Sequence, residues 1–109
     1  MKCVQAVGQD GRITAQLVDV PMPAPGAGEV LVRVHASGVN RADLSQIAGR
    51  YPPPPGESPI LGLEISGRIV DSDEPVCALL GGGGHAEYGA VHIGQILPGP
   101  PSLDLVRAA

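Results

Sequence analysis

The chain has 109 residues, a net charge of −4 and 43% hydrophobic residues, with Tyr51 and Tyr88 as its two aromatics. That length holds one domain, whose core must be built from Val, Ile, Leu and Ala. Scattered Lys and Arg exclude a nucleic-acid footprint and a polybasic membrane patch, and no apolar run approaches the ~18 residues of a membrane span. Cys3 and Cys77 make no disulfide framework, and MKCVQAV lacks a secretory pattern, so a soluble, cytoplasmic protein is expected. Glycine (16) and proline (12) form about a quarter of the chain and cluster between apolar β-branched runs, where turns belong.

Cys3–Val7 and Arg12–Val20 are predicted strands, joined by a turn at Gln9-Asp10-Gly11. PMPAPGAG, residues 21–28, cannot ladder because proline lacks a donor, and it reads as an extended connector. Glu29–Ala36 is the clearest strand, with Val30, Val32, Val34 and Ala36 on one face and Arg33 and His35 on the other. A lone His35 on that outer face reads as a solvated side chain rather than a ligand.

Asn40–Gly49, NRADLSQIAG, is a short helix: Asn40 suits the N-cap, Asp43 the first turn, and Gly49 the stop. YPPPPGESP follows as a stiff polyproline loop that pushes Tyr51 and Ser58 to the surface. Ile60–Val70 regains strand character, bent at Gly62 and Gly67. Val76–Leu80 and His85–Ile93 are the next strands, the latter with Ala86, Tyr88, Ala90 and His92 on one face. Ile96 and Leu97 lead to Pro98, and Ser102 caps the start of a helix over the last residues. These elements predict a mainly β fold, an antiparallel barrel or sandwich with one short helix.

CALLGGGGHAEYGAV, residues 77–91, satisfies a loose dinucleotide fingerprint through Gly81, Gly83 and Ala86. A pyrophosphate cradle needs a helix after its last glycine, so that free amides meet the anion at the helix N-terminus. EYGAVHIGQIL alternates and is broken by Gly89 and Gly94, so no helix can follow. The glycines are expected to make a bend.

Three blocks, GEVLVRVHASGVNRADLSQIAGRYPPPPG (28–56), ILGLEISGRIV (60–70) and CALLGGGGHAEY (77–88), carry a resemblance over nearly the whole chain. The sequence resembles the N-terminal, GroES-like domain of zinc-independent quinone oxidoreductases in the medium-chain dehydrogenase/reductase superfamily. The resemblance implies a GroES-like antiparallel β-barrel with one or two short helices, forming one wall of a cleft. A separate Rossmann domain would form the other wall and bind NADPH, with hydride passing to a quinone or enone. Zinc-dependent relatives have a cysteine where this sequence has Asn40 and a histidine where it has Leu63. With both replaced, and with His35, His85, His92, Cys3 and Cys77 at no ligand spacing, no zinc is expected.

The resemblance further implies that Tyr51 borders nicotinamide and substrate. Its phenol, protonated below a pKa of ~10, would donate to a carbonyl oxygen, unless the ring only stacks on the proline loop. Asn40 is expected on the nicotinamide side. Asp43, expected with Leu63 among the substrate-lining residues, either fixes Asn40 or Arg41 or favours the helix dipole. Leu63 lines the substrate side apolarly, Glu64 is a buried carboxylate or a backbone-bonded structural one, and His85 and His92 are surface residues.

Two departures from the family pattern stand out. DSDEP, residues 71–75, replaces a longer loop, and Ala109 falls where the linking helix begins, so the Rossmann domain is expected to be absent from residues 1–109. Two functions follow. One is the substrate-side domain of an NADPH-dependent quinone or enone oxidoreductase, inactive without its nucleotide domain. The other is a stand-alone binding or dimerisation module using apolar side chains around Leu44, Ile47, Tyr51 and Leu63.

Overall fold

A computed structural model describes residues 1–9, 12–49 and 55–109. The chain runs β1 (Lys2–Gln9), β2 (Arg12–Asp19), β3 (Glu29–Ser37), α1 (Arg41–Ile47), β4 (Glu64–Ile69), β5 (Pro75–Leu79), β6 (Tyr88–His92), a 3-10 turn (Ile93–Gln95), β7 (Ile96–Pro98) and α2 (Leu105–Ala108). β1 and β2 form a hairpin, and the other strands form one sheet in the order β6-β3-β4-β5-β7. Every pair is antiparallel. The fold is therefore mainly β, a curled antiparallel half-barrel with two short helices, as the resemblance implied.

Alternation along β3 decides the layering. Val32 is fully buried and Val30 and Val34 pack beside it, whereas Arg33 and His35 are exposed. Val32 joins Ile65, Val76, Ala78 and Val91 in the core cluster. Each buried Val or Ile among them stabilises by about 1.5–3 kcal/mol relative to an exposed one. A bulge between Val34 and Ala36 shifts the β3–β4 register and bends the sheet at the end where α1 begins.

The hairpin is tied to the main sheet through loops rather than through a strand. Val4 N donates to His85 O (2.8 Å), Leu61 N to Val4 O (2.9 Å) and Glu87 N to Lys2 O (3.2 Å). These contacts explain two shortened strands. Ile60 bridges Gln5 and Ala86 bridges Cys3, so residues 60–63 and 85–87 serve the hairpin while β4 and β6 start later than expected. His92 ends β6 because its Nδ1 accepts from Gly94 N (3.0 Å) and starts the 3-10 turn.

α2 corrects one expectation. Its N-cap is Asp104, whose Oδ1 accepts from Arg107 N (2.8 Å), not Ser102. The helix begins where it can dock: the fully buried Ser66 hydroxyl donates to Leu105 O, and the Cys77 thiol to Ala108 O (3.4 Å). Among the described residues no helix is long and apolar enough to cross a membrane.

Candidate functional site: the polar corner at the start of the first helix

The glycine run is a bend, and the amides of its second half are occupied. Gly83 N donates to Ile60 O (2.8 Å), Gly84 N to Gly62 O (3.0 Å) and His85 N to Leu61 O (2.7 Å). These three donors are thus spent within the fold. Gly62, at φ +106°, lies so close beneath that a Cβ there would sit 2.4 Å from His85 N. This interlock carries His85 into the interior.

Only 13% of the His85 side chain is exposed, against the expectation of a surface residue. Its Nδ1 lies 2.7 Å from Ser37 Oγ at the end of β3, and its Nε2 lies 3.2 Å from Asp43 Oδ2 on α1. Asp43 is 3% exposed. Its Oδ2 also accepts from Asn40 N (2.8 Å), while Asp43 N donates to Asn40 O (3.0 Å). Of the alternatives for Asp43, fixing Asn40 is therefore realised through the backbone. Asp43 Oδ1 is buried and finds no donor among the described residues.

The partners assign the protons. A carboxylate offers only acceptors, so His85 Nε2 carries a hydrogen toward Asp43. In neutral imidazole, Nδ1 then accepts from the Ser37 hydroxyl. Ser37 has a second acceptor, Glu64 O, at 3.0 Å. One hydroxyl hydrogen serves one acceptor at a time, so Ser37 donates either to His85 Nδ1 or to Glu64 O. The row thereby connects α1, the glycine bend, β3 and β4.

Glu64 is half-buried, and its carboxylate presses on Gly38, where a Cβ would fall 2.0 Å from Oε1. Glu64 thus abuts the connection from Ser37 to Asn40, while its neighbour Leu63 is half-buried and its carbonyl accepts from Leu80 N (2.8 Å). Asn40 is half-buried at the N-cap. Asn40 and Asp43 are gathered at one corner with Ser37 and His85; Leu63 is not tied to it by any hydrogen bond, and Tyr51 lies outside the described residues. Beside this corner Val39 and Leu44 are 79% and 63% exposed, an apolar rim next to a polar clamp. The face expected around Leu44 is thus exposed at Leu44, with Ile47 half-buried. Sequence reasoning missed His85 and Ser37, whose only signal was the pairing of a first-turn carboxylate with a distant histidine.

Other ligand-type side chains are dispersed. His35 and His92 are exposed, Cys3 is buried, and the described residues gather no group of three ligand-type side chains. Burial pushes both thiols up from their ordinary pKa; for Cys3, Asp19 adds to the rise and the N-terminal ammonium opposes it.

Residues 26–82, from the proline connector to the glycine bend, match the alcohol dehydrogenase GroES-like domain model. The chain belongs to that family. This GroES-like domain is 30% identical over 124 residues to a chloroplastic quinone oxidoreductase of Triphysaria versicolor, covering 100% of this chain and 38% of that protein. It is 37% identical over 93 residues to prostaglandin reductase-3 of Mus musculus, covering 75% and 24%. Among solved structures, the quinone oxidoreductase of Thermus thermophilus, also solved as its NADPH complex, matches at a TM-score of 0.80 with 35% identity, over 99% of this chain and 35% of that one. The GroES-like domain thus spans from a quarter to two fifths of the length of these relatives.

Proposed function

We propose that residues 1–109 form the substrate-side wall of an NADPH-dependent quinone or enone oxidoreductase, with the nucleotide held by a separate domain. The observation that carries this reading is the corner at α1: a polar clamp fixes the helix start while the exposed Val39 and Leu44 are left for a facing surface. The bonded amides of Gly83 and Gly84 and the lack of a helix after them do not fit a pyrophosphate cradle, whereas the half-buried Asn40 and Leu63 fit the edge of a nicotinamide-and-substrate cleft. The names of the relatives support the same class.

In this reading NADPH, when bound, supplies the hydride. Asn40 borders the nicotinamide, Leu63 excludes water from the acceptor, and Tyr51 donates a hydrogen bond to the carbonyl oxygen as negative charge develops there. Asp43 acts through Asn40 and is a positioning residue. No metal is assigned a role, since Asn40 and Leu63 offer no thiolate or imidazole.

The test is a chimera in which this chain replaces the corresponding domain of the Thermus thermophilus quinone oxidoreductase. The chimera is expected to oxidise NADPH with 1,4-benzoquinone or a simple enone, and Tyr51→Phe to lose about tenfold or more in kcat. The isolated chain is expected to show no turnover. Turnover by the isolated chain, or a folded, NADPH-binding chimera that reduces no quinone or enone, would overturn the proposal.

A further inference from the structure

Strand register sets two arginines side by side on the outer face of the main sheet. Arg33 of β3 lies directly opposite Arg68 of β4 and, on its other flank, directly opposite Tyr88 of β6. Opposed Cβ atoms stand about 4.5–5.5 Å apart, and like charges so placed destabilise a sheet unless something neutralises them. Neither guanidinium forms an ion pair with a carboxylate among the described residues. The pair is a local positive charge on a chain whose net charge is −4.

The short DSDEP segment fixes one member of the pair. Asp73 N donates to Ile69 O (2.7 Å) and Ile69 N to Glu74 O (3.0 Å), which folds the segment tightly back onto β4. Asp73 O thereby meets Arg68 Nη1 at 3.0 Å. That bond uses one of the guanidinium's five donors and cancels no charge, since a backbone carbonyl is neutral. The half-buried Arg68 is thus aimed, and its other donors are left for a ligand.

Arg33, Arg68 and Tyr88 line one cleft of about 90 Å³, with Ile69, Val70 and Asp73. That space is well above the ~10–15 Å³ that admits a single water, so a tetrahedral oxyanion fits. Two guanidinium forks and a phenol O–H all donate, the set that grips phosphate oxygens and repels a metal cation. Arg68 also borders a second cleft of about 510 Å³, whose apolar walls include Pro75, Pro100, Pro101 and Leu103. Its polar groups are His35 and Asp104, the latter already accepting from Arg107 N. A molecule whose phosphate is held at Arg68 therefore has room beside it for an apolar group.

We propose that Arg33, Arg68 and Tyr88 form a binding site for the phosphate of a small monoester, whose apolar group lies in the larger cleft. The site shares no residue with the corner at α1. The bound dianion neutralises the opposed arginines, so binding also stabilises the sheet that carries them.

Amide NMR of the isotope-labelled chain, titrated at constant ionic strength with phenyl phosphate or inorganic phosphate, tests this at about pH 7.5, where a monoester is dianionic. Phenyl phosphate is expected to bind with a Kd on the order of 1 mM, with shifts centred on Arg33, Arg68 and Tyr88. Inorganic phosphate should shift the same residues about threefold or more weakly, since it leaves the apolar walls uncovered. Arg33→Gln and Arg68→Gln, which keep much of the aliphatic stem, should each weaken phenyl phosphate about tenfold or more. Arg12→Gln on the hairpin makes the same charge change and should stay within about twofold. Shifts without a centre at these three residues, or an Arg12→Gln effect as large as that of Arg33→Gln, would overturn the proposal. So would binding that emerges only in Asp73→Asn, which would make Asp73 the arginines' own counterion. Equal affinity for the two probes would overturn the monoester and leave free phosphate as the ligand.

Discussion

Replacing His85 by alanine isolates the contribution of the corner. The substitution removes a side chain that is 13% exposed and deprives Asp43, 3% exposed, of its 3.2 Å partner. What remains on the carboxylate is the Asn40 amide at 2.8 Å, with Oδ1 already lacking a donor. Losing a hydrogen bond to a charged group costs about 1.5–3 kcal/mol, and breaking a buried pair from one side costs about 3–5 kcal/mol. The longish 3.2 Å contact and the remaining backbone donor place the expected loss near about 2–4 kcal/mol. For a chain of this size that lowers Tm by about 8–16 °C. Urea unfolding at pH 7, followed by far-UV circular dichroism because the chain has no Trp, reads it directly. A double-mutant cycle with Asp43→Asn separates the pair from the cavity. The double variant should be at least about 1.5 kcal/mol more stable than additivity allows, since Asn40 then faces a neutral amide with no stranded charge. Additive losses, or a His85→Ala cost below about 1 kcal/mol, would refute the clamp.

Three further outcomes are expected. Gly62→Ala, which forces a Cβ to 2.4 Å from His85 N at φ +106°, should cost about 3 kcal/mol or more and unfold much of the population near 37 °C in the same assay. Ser66→Ala removes the hydroxyl that holds Leu105 O, so amides of 105–108 should exchange with deuterium about tenfold faster while β3 exchange is unchanged. Because folding raises the Cys3 and Cys77 pKa, the folded state keeps those protons longer than the unfolded chain. Their contribution is complete below the unfolded thiol pKa of about 8.5 and is lost as pH rises from there through the folded values. The urea midpoint should therefore fall between about pH 8 and 10, and fall less in a Cys3→Ala, Cys77→Ala chain.

What could be read in advance was local. Alternation located β3 and its core face, Asn40 and Gly49 bounded α1 within about a residue, and the absence of an amphipathic helix after Ala86 identified the glycine bend. What could not be read was set by tertiary partners. His85 sits 42 positions from Asp43, and alternation cannot reveal that backbone bonds to Leu61 and Gly62 turn it inward. Ser102 and Asp104 are both good caps, and the docking of Leu105 on Ser66 selected the second. Ile60–Leu63 has strand-forming side chains, yet the positive φ of Gly62 and the bridge to β1 take it out of the main sheet.

The corner also explains how so short a helix persists. Seven residues are too few for a helix to stand by propensity, and such helices are normally held by an apolar face. In α1 the one buried residue is Asp43, while Leu44 is 63% exposed. The helix is therefore anchored through its carboxylate, which leaves Leu44 exposed. Such an anchor predicts a separable opening: α1 amides should exchange faster than those of β3 and β4, and His85→Ala should accelerate α1 selectively. Equal acceleration of β3, α1 and β4 would mean that the pair supports the whole sheet and that the helix has no anchor of its own.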